Sequence, residues 1–188
     1  MKDKIAQGHA ELAEVLAAFA KELSVVEATG RVIIDCLRKG GKILSAGNGG
    51  SAADALHLAE EFSGRYKGDR PSLPGLCLSV DATVLTCIAN DYGFDAVFSR
   101  QIEGLGRAGD VFVGFTTSGN SANLLTAFEA CRVRGVTSIL VTGGDGGKAR
   151  ELVDHAVIVP SRTTARIQEV HTFILHQWLE MVEAEDWT

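Results

Sequence analysis

Residues 43–51 read ILSAGNGGS, in which a short apolar run leads into a glycine-rich turn and then into a helical pattern. Residues 111–121 read VFVGFTTSGNS and repeat this arrangement. Apolar runs of this kind are typical of buried strands, and the first turn of the helix that follows has backbone N–H groups without intrahelical partners. Such groups bind phosphate. The two turns therefore predict a pair of anion cradles and a phosphorylated small molecule as the ligand.

Neither turn matches a known nucleotide-binding loop. The first lacks the Gly-Lys-Ser/Thr ending of the Walker loop and the glycine spacing of the dinucleotide fingerprint, so a nucleotide ligand is disfavoured. Plain turn chemistry is the alternative, because Gly, Asn and Ser also supply positive φ angles and local hydrogen bonds. The recurrence of the turn in two strand-turn-helix units favours binding.

Composition bounds the class of protein. The 188 residues are 46% hydrophobic, which predicts a single domain over residues 1–188 with a core of its own. The four cysteines form no Cys-x-x-Cys pair, so we expect neither a disulfide framework nor a thiolate zinc site.

The net charge of −6 is atypical of a nucleic-acid binder, and no apolar run is long enough to span a membrane. No signal peptide is recognisable. We expect a cytoplasmic protein that binds neither nucleic acid nor membranes.

Helices and strands alternate along most of the chain. Apolar spacing predicts two leading helices, at residues 3–23 and 25–37. Strands are expected at residues 42–46, 76–78, 111–115, 137–141 and 156–159. Further helices are expected at residues 51–63, 82–90, 97–105, 121–134, 147–153 and 165–185. Because the strands are continuous apolar runs, the pattern predicts an α/β fold: a doubly wound, mainly parallel five-stranded sheet flanked by helices, with two N-terminal helices and a long C-terminal helix.

Ligands of such sheets bind beyond the carboxyl ends of the strands, near the switch in strand order. Both cradles are expected there. A third glycine-rich turn at residues 142–147 holds the equivalent place after the next strand, and it could line the same crevice or only turn the chain. Residues 65–74 form one extended loop, which could act as a lid or as an interface segment.

The helix after the first cradle carries polar side chains on one face. Asp54, His57 and Glu61 stand at positions i, i+3 and i+7. A His and a Glu four residues apart can bind a divalent metal, or the Glu can act as a base that the imidazole orients. A solvated helix face is the alternative explanation of this pattern.

The last helix carries a second set of polar side chains. Gln168 and His176 are eight residues apart, about 80° around the helix and roughly 12 Å along it, so they hardly converge on one small ion. Either the helix begins after Gln168 or the two side chains come from different subunits. His171 and His176 are about 140° apart, so at most one of them faces a given pocket.

These motifs together closely resemble the phosphoheptose isomerases, a family of sugar isomerase (SIS) domain proteins. The resemblance covers nearly the whole chain, in the order and spacing of the family. It rests on residues 46–51 with Asp54, His57 and Glu61, on Asn90 and Asp91, on residues 116–121, and on residues 166–169 with His176.

The resemblance implies an aldose–ketose isomerase. Its substrate would be sedoheptulose 7-phosphate, converted through an enediolate into D-glycero-D-manno-heptose 7-phosphate, the first step of bacterial ADP- or GDP-heptose biosynthesis and hence of lipopolysaccharide assembly. It also implies a homotetramer with active sites at subunit interfaces, in which residues 1–39 contribute to oligomer packing. One zinc ion per subunit is expected.

The family's site residues carry over position by position. Glu61 and His176 would be the catalytic acid/base pair. Zinc would be bound by His57, Glu61, Gln168 and His176. Residues expected to bind substrate are Asn48, Gly49, Gly50, Ser51, Asp54, Glu61, Arg65, Asn90, Asp91, Thr116, Thr117, Ser118, Ser121 and Gln168. The hydroxyls of the second cradle, on Thr116, Thr117, Ser118 and Ser121, would hold the phosphate, and residues 48–51 the sugar hydroxyls.

One departure from the family pattern is present. Many members carry an Asp just before the Arg/Lys-Ile-Gln-Glu motif, whereas residues 161–165 contain no acid. Two other functions are compatible with the cradles. One is a non-catalytic SIS protein that binds a replication-initiator partner, which would not need the acid/base set. The other is an isomerase of a different phosphosugar.

Overall fold

The computed structural model describes residues 2–187, and over this range the chain alternates helices and strands. The helices are α1 (Lys2–Phe19), α2 (Leu23–Arg38), α3 (Gly50–Ser63), α4 (Ala82–Tyr92), α5 (Ser99–Leu105), α6 (Ala122–Arg134) and α7 (Thr164–Glu183). The strands are β1 (Ile43–Gly47), β2 (Gly75–Cys77), β3 (Val111–Phe115), β4 (Thr137–Gly143) and β5 (His155–Val159). The predicted order of elements is confirmed.

The five strands form one parallel sheet in the order β2-β1-β3-β4-β5. The order reverses between β1 and β3, whose pairing sets Gly47 beside Phe115. Because both strands run in the same direction, the loops that follow them leave the same edge of the sheet as neighbours. This is the switch point at which such folds bind ligands, and the fold class predicted from the sequence is confirmed.

Both faces of the sheet are covered by helices. Within β3, Val111 and Val113 pack into a core with α2, α3 and α7, whereas Phe112 packs into a second core with α5 and α6. Alternate residues of a strand point to opposite faces, so a strand buried on both faces must be apolar throughout. This is the physical reason for the continuous apolar runs of the sequence.

Some predicted boundaries differ from the structure. The first helix ends at Phe19 and passes through a 3₁₀ turn, Ala20–Glu22, into α2. The short helix expected at residues 147–153 is a 3₁₀ segment, Lys148–Leu152, preceded by glycines at positive φ. Another 3₁₀ turn, Phe94–Ala96, precedes α5. No helix within residues 2–187 is long and apolar enough to cross a membrane.

The extended loop of residues 64–74 is tied down at several points. Arg70 donates hydrogen bonds to the carbonyl oxygens of Glu61 and Phe62, at the end of α3, and forms an ion pair of 3.0 Å with Glu183 on α7. Glu183 also accepts a hydrogen bond from the Gly68 amide. The loop therefore joins the end of α3 to the end of α7.

Candidate active site

The second cradle forms a small polar cavity at the switch point. Ser121 precedes α6 without a side-chain capping bond, so the first amides of that helix are left for a ligand. The hydroxyls of Thr116 and Ser121 lie 3.4 Å apart. The cavity measures about 210 Å³, and its lining residues are Asn48, Ser51, Phe115, Thr116, Thr117, Ser118, Ser121, Thr164 and Gln168. All four predicted phosphate-binding hydroxyl residues are among them.

The first cradle adjoins this cavity. Gly49, which precedes α3, has a φ of 57°, a conformation that favours glycine. A Cβ at Gly50 would lie 2.5 Å from the side-chain amide nitrogen of Gln168, so the end of the Gln168 side chain from α7 packs directly over this glycine. Asn48 exchanges two side-chain hydrogen bonds with Asn123, in the first turn of α6. The predicted residues Asn48, Gly50 and Gln168 are thus brought together.

A second group of predicted residues meets farther along α3. His57 Nε2 lies 3.5 Å from Glu61 Oε1. The ring of His176, from α7, lies 5.1 Å from the His57 ring at an interplanar angle of 82°. Tyr66 stands 5.7 Å from the His176 ring on another side. Three of the four predicted metal ligands, which include the predicted acid/base pair, form one cluster within a single chain, and the fourth, Gln168, lies at the phosphate cavity.

Electrostatics support a neutral imidazole in this cluster. Partial burial, together with the neighbouring His57, lowers the pKa of His176. Neutral imidazole nitrogens and a carboxylate are the donors that Zn²⁺ prefers. A carboxylate oxygen of Glu60 also comes within 4.8 Å of the His57 and Glu61 donor atoms, although Glu60 is exposed. The residues present therefore fit a zinc ion.

The structure explains the separation of Gln168 and His176 along α7. The helix begins at Thr164, so the expectation that it begins after Gln168 is wrong. Gln168 faces the phosphate cavity, whereas His176, two turns later, faces His57. His171 is buried against Phe115, and burial lowers its pKa to about 4. His176 is accordingly the histidine of this pair that faces the cluster.

Asp54 lies on α3 between the cavity and the cluster. Its Oδ1 accepts a hydrogen bond of 3.0 Å from the Thr172 hydroxyl, and its Oδ2 is buried without a partner among the described residues. Burial raises the pKa of this carboxyl group, although the Thr172 bond opposes the shift. Asp54 does not line the phosphate cavity, and its role as a substrate-binding residue stays a prediction.

Among the predicted substrate-binding residues that do not line the cavity, three are exposed on the surface of the chain. Asn90 and Asp91 are exposed near the end of α4 and are hydrogen-bonded to each other at 2.8 Å. Arg65 is exposed in the loop after α3. None of the three lines the phosphate cavity, and α4 has no fully buried residue among those described.

Four residues near the site were missed by the sequence reasoning. Asn123 and Thr172 make the buried polar contacts described above, Tyr66 packs near His176, and Thr164 lines the cavity. The polar Asn123, in the otherwise apolar first turn of α6, was a signal that could have been used. The contacts of Tyr66 and Thr172 depend on tertiary packing and had no sequence signal.

Comparison with known proteins agrees with this geometry. The SIS domain family matches residues 9–143. The phosphoheptose isomerase of Vibrio cholerae is 45% identical over 188 residues, which cover 98% of each chain. The chain belongs to the phosphoheptose isomerase family. The solved phosphoheptose isomerase of Neisseria gonorrhoeae superposes with a TM-score of 0.93 at 40% identity and covers 98% of this chain and 99% of its own. That of Francisella tularensis superposes with a TM-score of 0.94 at 31% identity and covers 97% of this chain and 98% of its own.

Membership in the phosphoheptose isomerase family confirms the resemblance identified from the sequence. The individual site residues stay predictions, which the geometry supports to different degrees. The cavity hydroxyls and the cluster of His57, Glu61 and His176 are assembled by one chain. Within one chain, Asn90, Asp91 and Arg65 belong to neither group.

Proposed function

We propose that the protein is an aldose–ketose isomerase that converts sedoheptulose 7-phosphate into D-glycero-D-manno-heptose 7-phosphate. The observation that carries the proposal is the placement of two sites on one helix. Ser51, at the phosphate cavity, and His57, in the acid/base cluster, are six residues apart on α3, which is about 9 Å along the axis. A sugar phosphate can therefore present its phosphate to the cavity and its carbonyl end to the cluster.

The reaction moves one proton between adjacent carbons and another between their oxygens. Glu61 removes a proton from C1 of the ketose to form the enediolate and returns a proton to C2. His176, whose pKa is lowered by burial and by the neighbouring His57, moves the hydroxyl proton between O1 and O2. The cavity hydroxyls and the α6 amides hold the phosphate, which supplies orientation rather than chemistry.

A zinc ion bound to the cluster is part of the proposal. His57, Glu61 and His176 would hold it, with Gln168 supplied by a neighbouring subunit. When bound, the ion polarises the substrate carbonyl as a Lewis acid and so stabilises the developing oxyanion. The absence of an acid at residues 161–165 leaves proton transfer in this proposal to Glu61 and His176.

We further propose that the enzyme works as a homotetramer in the cytoplasm, on a phosphorylated heptose as its substrate. Two features support the assembly. Helix α1 exposes apolar side chains, among them Ile5 at 71% and Leu16 at 38%, and α4 buries none of its described residues fully. In the tetramer, Asn90 and Asp91 of one subunit would reach the cavity of its neighbour.

The deciding experiment offers the purified protein three ketose phosphates and follows aldose formation by NMR. We expect rapid conversion of sedoheptulose 7-phosphate and slow or no conversion of ribulose 5-phosphate and fructose 6-phosphate. Preferential conversion of one of the shorter sugars would identify a different phosphosugar isomerase. Conversion of none would favour the partner-binding alternative, which nothing in the assembled acid/base cluster supports.

A further inference from the structure

The third glycine-rich turn, which the proposed reaction does not use, packs directly against the back of the phosphate cradle. A Cβ placed on Gly119 would lie 1.9 Å from the carbonyl oxygen of Gly146. One placed on Gly147 would lie 2.4 Å from the carbonyl oxygen of Ser118. Both distances are far below van der Waals contact. Backbone therefore meets backbone at this point, and neither position accepts a side chain.

Hydrogen bonds also connect the cradle with the third glycine-rich turn. Ala149 donates its amide to the carbonyl oxygen of Gly119 at 2.9 Å. Asn120 uses both ends of its side chain: Oδ1 accepts from the Lys148 amide at 3.1 Å, and Nδ2 donates to the Ser118 carbonyl at 2.8 Å. Asn120 thus connects the cradle to the turn after β4.

The turn itself is anchored in the core. Ala149 is fully buried in the apolar cluster that includes Leu124 and Phe128 of α6. Gly119 lies in the middle of the cradle, and its carbonyl oxygen is bonded to this anchored segment. Its amide donates a hydrogen bond to Thr116 Oγ1, within the cradle, at 3.3 Å. The curvature of the cradle therefore depends on a segment that does not line the phosphate cavity.

We propose that residues 146–149 are a positioning element for phosphate recognition, acting through Asn120, Gly119 and Gly147. They hold the hydroxyls and amides of residues 116–121 in the arrangement that binds the phosphate of the substrate, without contacting it. The role in catalysis rests on the proposed isomerase function, whereas the role in phosphate binding does not. Preorganised donors bind an anion more tightly than donors that must be ordered at the moment of binding.

The test compares Gly147→Ala with Gly144→Ala. Both glycines lie in the same turn at positive φ, 56° and 66°, so either alanine strains the backbone. A Cβ at Gly144 meets open space, whereas one at Gly147 must displace the cradle. Asn120→Ala is a third variant, which removes the two side-chain bonds without adding an atom and covers the case in which Gly147→Ala does not fold.

The readouts are the dissociation constant of inorganic phosphate by calorimetry, the KM and kcat for sedoheptulose 7-phosphate, and the melting temperature. We expect Gly147→Ala and Asn120→Ala to weaken phosphate binding and raise KM about tenfold, with kcat within a factor of about three. Gly144→Ala should bind phosphate like the wild type even if its melting temperature falls.

Wild-type phosphate affinity in folded Asn120→Ala or Gly147→Ala would overturn the proposal. So would an equal loss of phosphate affinity in Gly144→Ala. A fall in kcat at unchanged KM would also contradict it. If the wild type binds phosphate but does not isomerise the heptose phosphate, the binding measurements alone decide this inference, so its failure is distinguishable from failure of the proposed function.

Discussion

Asn48 and Asn123 donate hydrogen bonds to each other's side-chain carbonyls, at 3.0 and 2.9 Å. Asn48 lies in the first cradle, and Asn123 lies in the first turn of the helix that begins at the second. Each amide is the partner of the other, so this pair sets the spacing between the two loops. Asn123 is 2% exposed, so its side-chain amide relies on Asn48 as a partner.

Removing one member of the Asn48–Asn123 pair should lower the stability of the fold, because the side-chain amide of the other member stays buried without its partner. We expect Asn48→Ala to lower the free energy of unfolding by about 1–3 kcal/mol. Combining it with Asn123→Leu should recover part of that loss, because no buried amide is then left unsatisfied. Urea unfolding of the two single variants and the double variant measures the coupling. Strictly additive effects would show that the two amides do not depend on each other.

Glu61→Gln tests the proposed base. The variant keeps the shape of the side chain but cannot accept a proton, so we expect kcat to fall by about 10² to 10⁴ fold while phosphate affinity is unchanged. Glu129→Gln is the control, since Glu129 is an exposed carboxylate on α6, outside the cluster. Near-normal turnover by Glu61→Gln, or equal losses in both variants, would remove Glu61 from this role.

Metal removal tests the proposed zinc site separately from the proposed role of Glu61 as the base. We expect chelation to remove zinc and activity together, and zinc to restore activity, because His57, Glu61 and His176 form a donor set that suits Zn²⁺. His57→Ala should lower zinc affinity, whereas His9→Ala, on the exposed surface of α1, should not. Elemental analysis measures the metal content. Full activity in metal-free protein would show that zinc is dispensable.

His171 makes stability depend on pH. Burial lowers its pKa in the folded state to about 4, against about 6.5 in the unfolded chain. Below pH 6.5 the unfolded state therefore binds a proton that the folded state does not, and stability falls as pH decreases toward 4. We expect His171→Leu to lose less stability between pH 7 and 5 than the wild type, by about 2 kcal/mol. Urea titrations at both pH values measure the difference, with His9→Leu as the control. An identical pH dependence in His171→Leu would contradict the assignment.

Arg70 and Lys67 offer a comparison between a buried and an exposed ion pair in one loop. The side chains of Arg70 and its partner Glu183 are 7% and 14% exposed, whereas Lys67 and Glu180 are 59% and 46% exposed. Arg70→Met leaves Glu183 without its cationic partner and removes the guanidinium hydrogen bonds to the Glu61 and Phe62 carbonyls, so we expect a loss of about 3 kcal/mol. Lys67→Met should change stability by less than about 0.5 kcal/mol. Chemical unfolding measures both values, and equal losses would refute the distinction.

Much of the fold could be predicted because the relevant signals are local. A strand buried on both faces must be apolar throughout, which made β3 and β4 recognisable from short runs of sequence. A short helix was predicted at residues 147–153, and the structure has a 3₁₀ segment, Lys148–Leu152, at this place. Its conformation follows from the positive φ of Gly146 and Gly147 and from packing against the cradle, neither of which a helical pattern reports.

The sequence by itself determined the order of strands and helices, the two cradles at helix starts, and the common face of His57 and Glu61 on α3. These depend on hydrophobic periodicity and on spacing along one helix. Only the tertiary structure decided that Gln168 serves the phosphate cavity while His176 serves the cluster, that His171 is buried, and that Asn90 and Asp91 stay outside one chain's cavity. Those outcomes depend on how α3, α4 and α7 pack, which brings together residues more than 100 positions apart in the chain and is set by the whole core rather than by any local pattern.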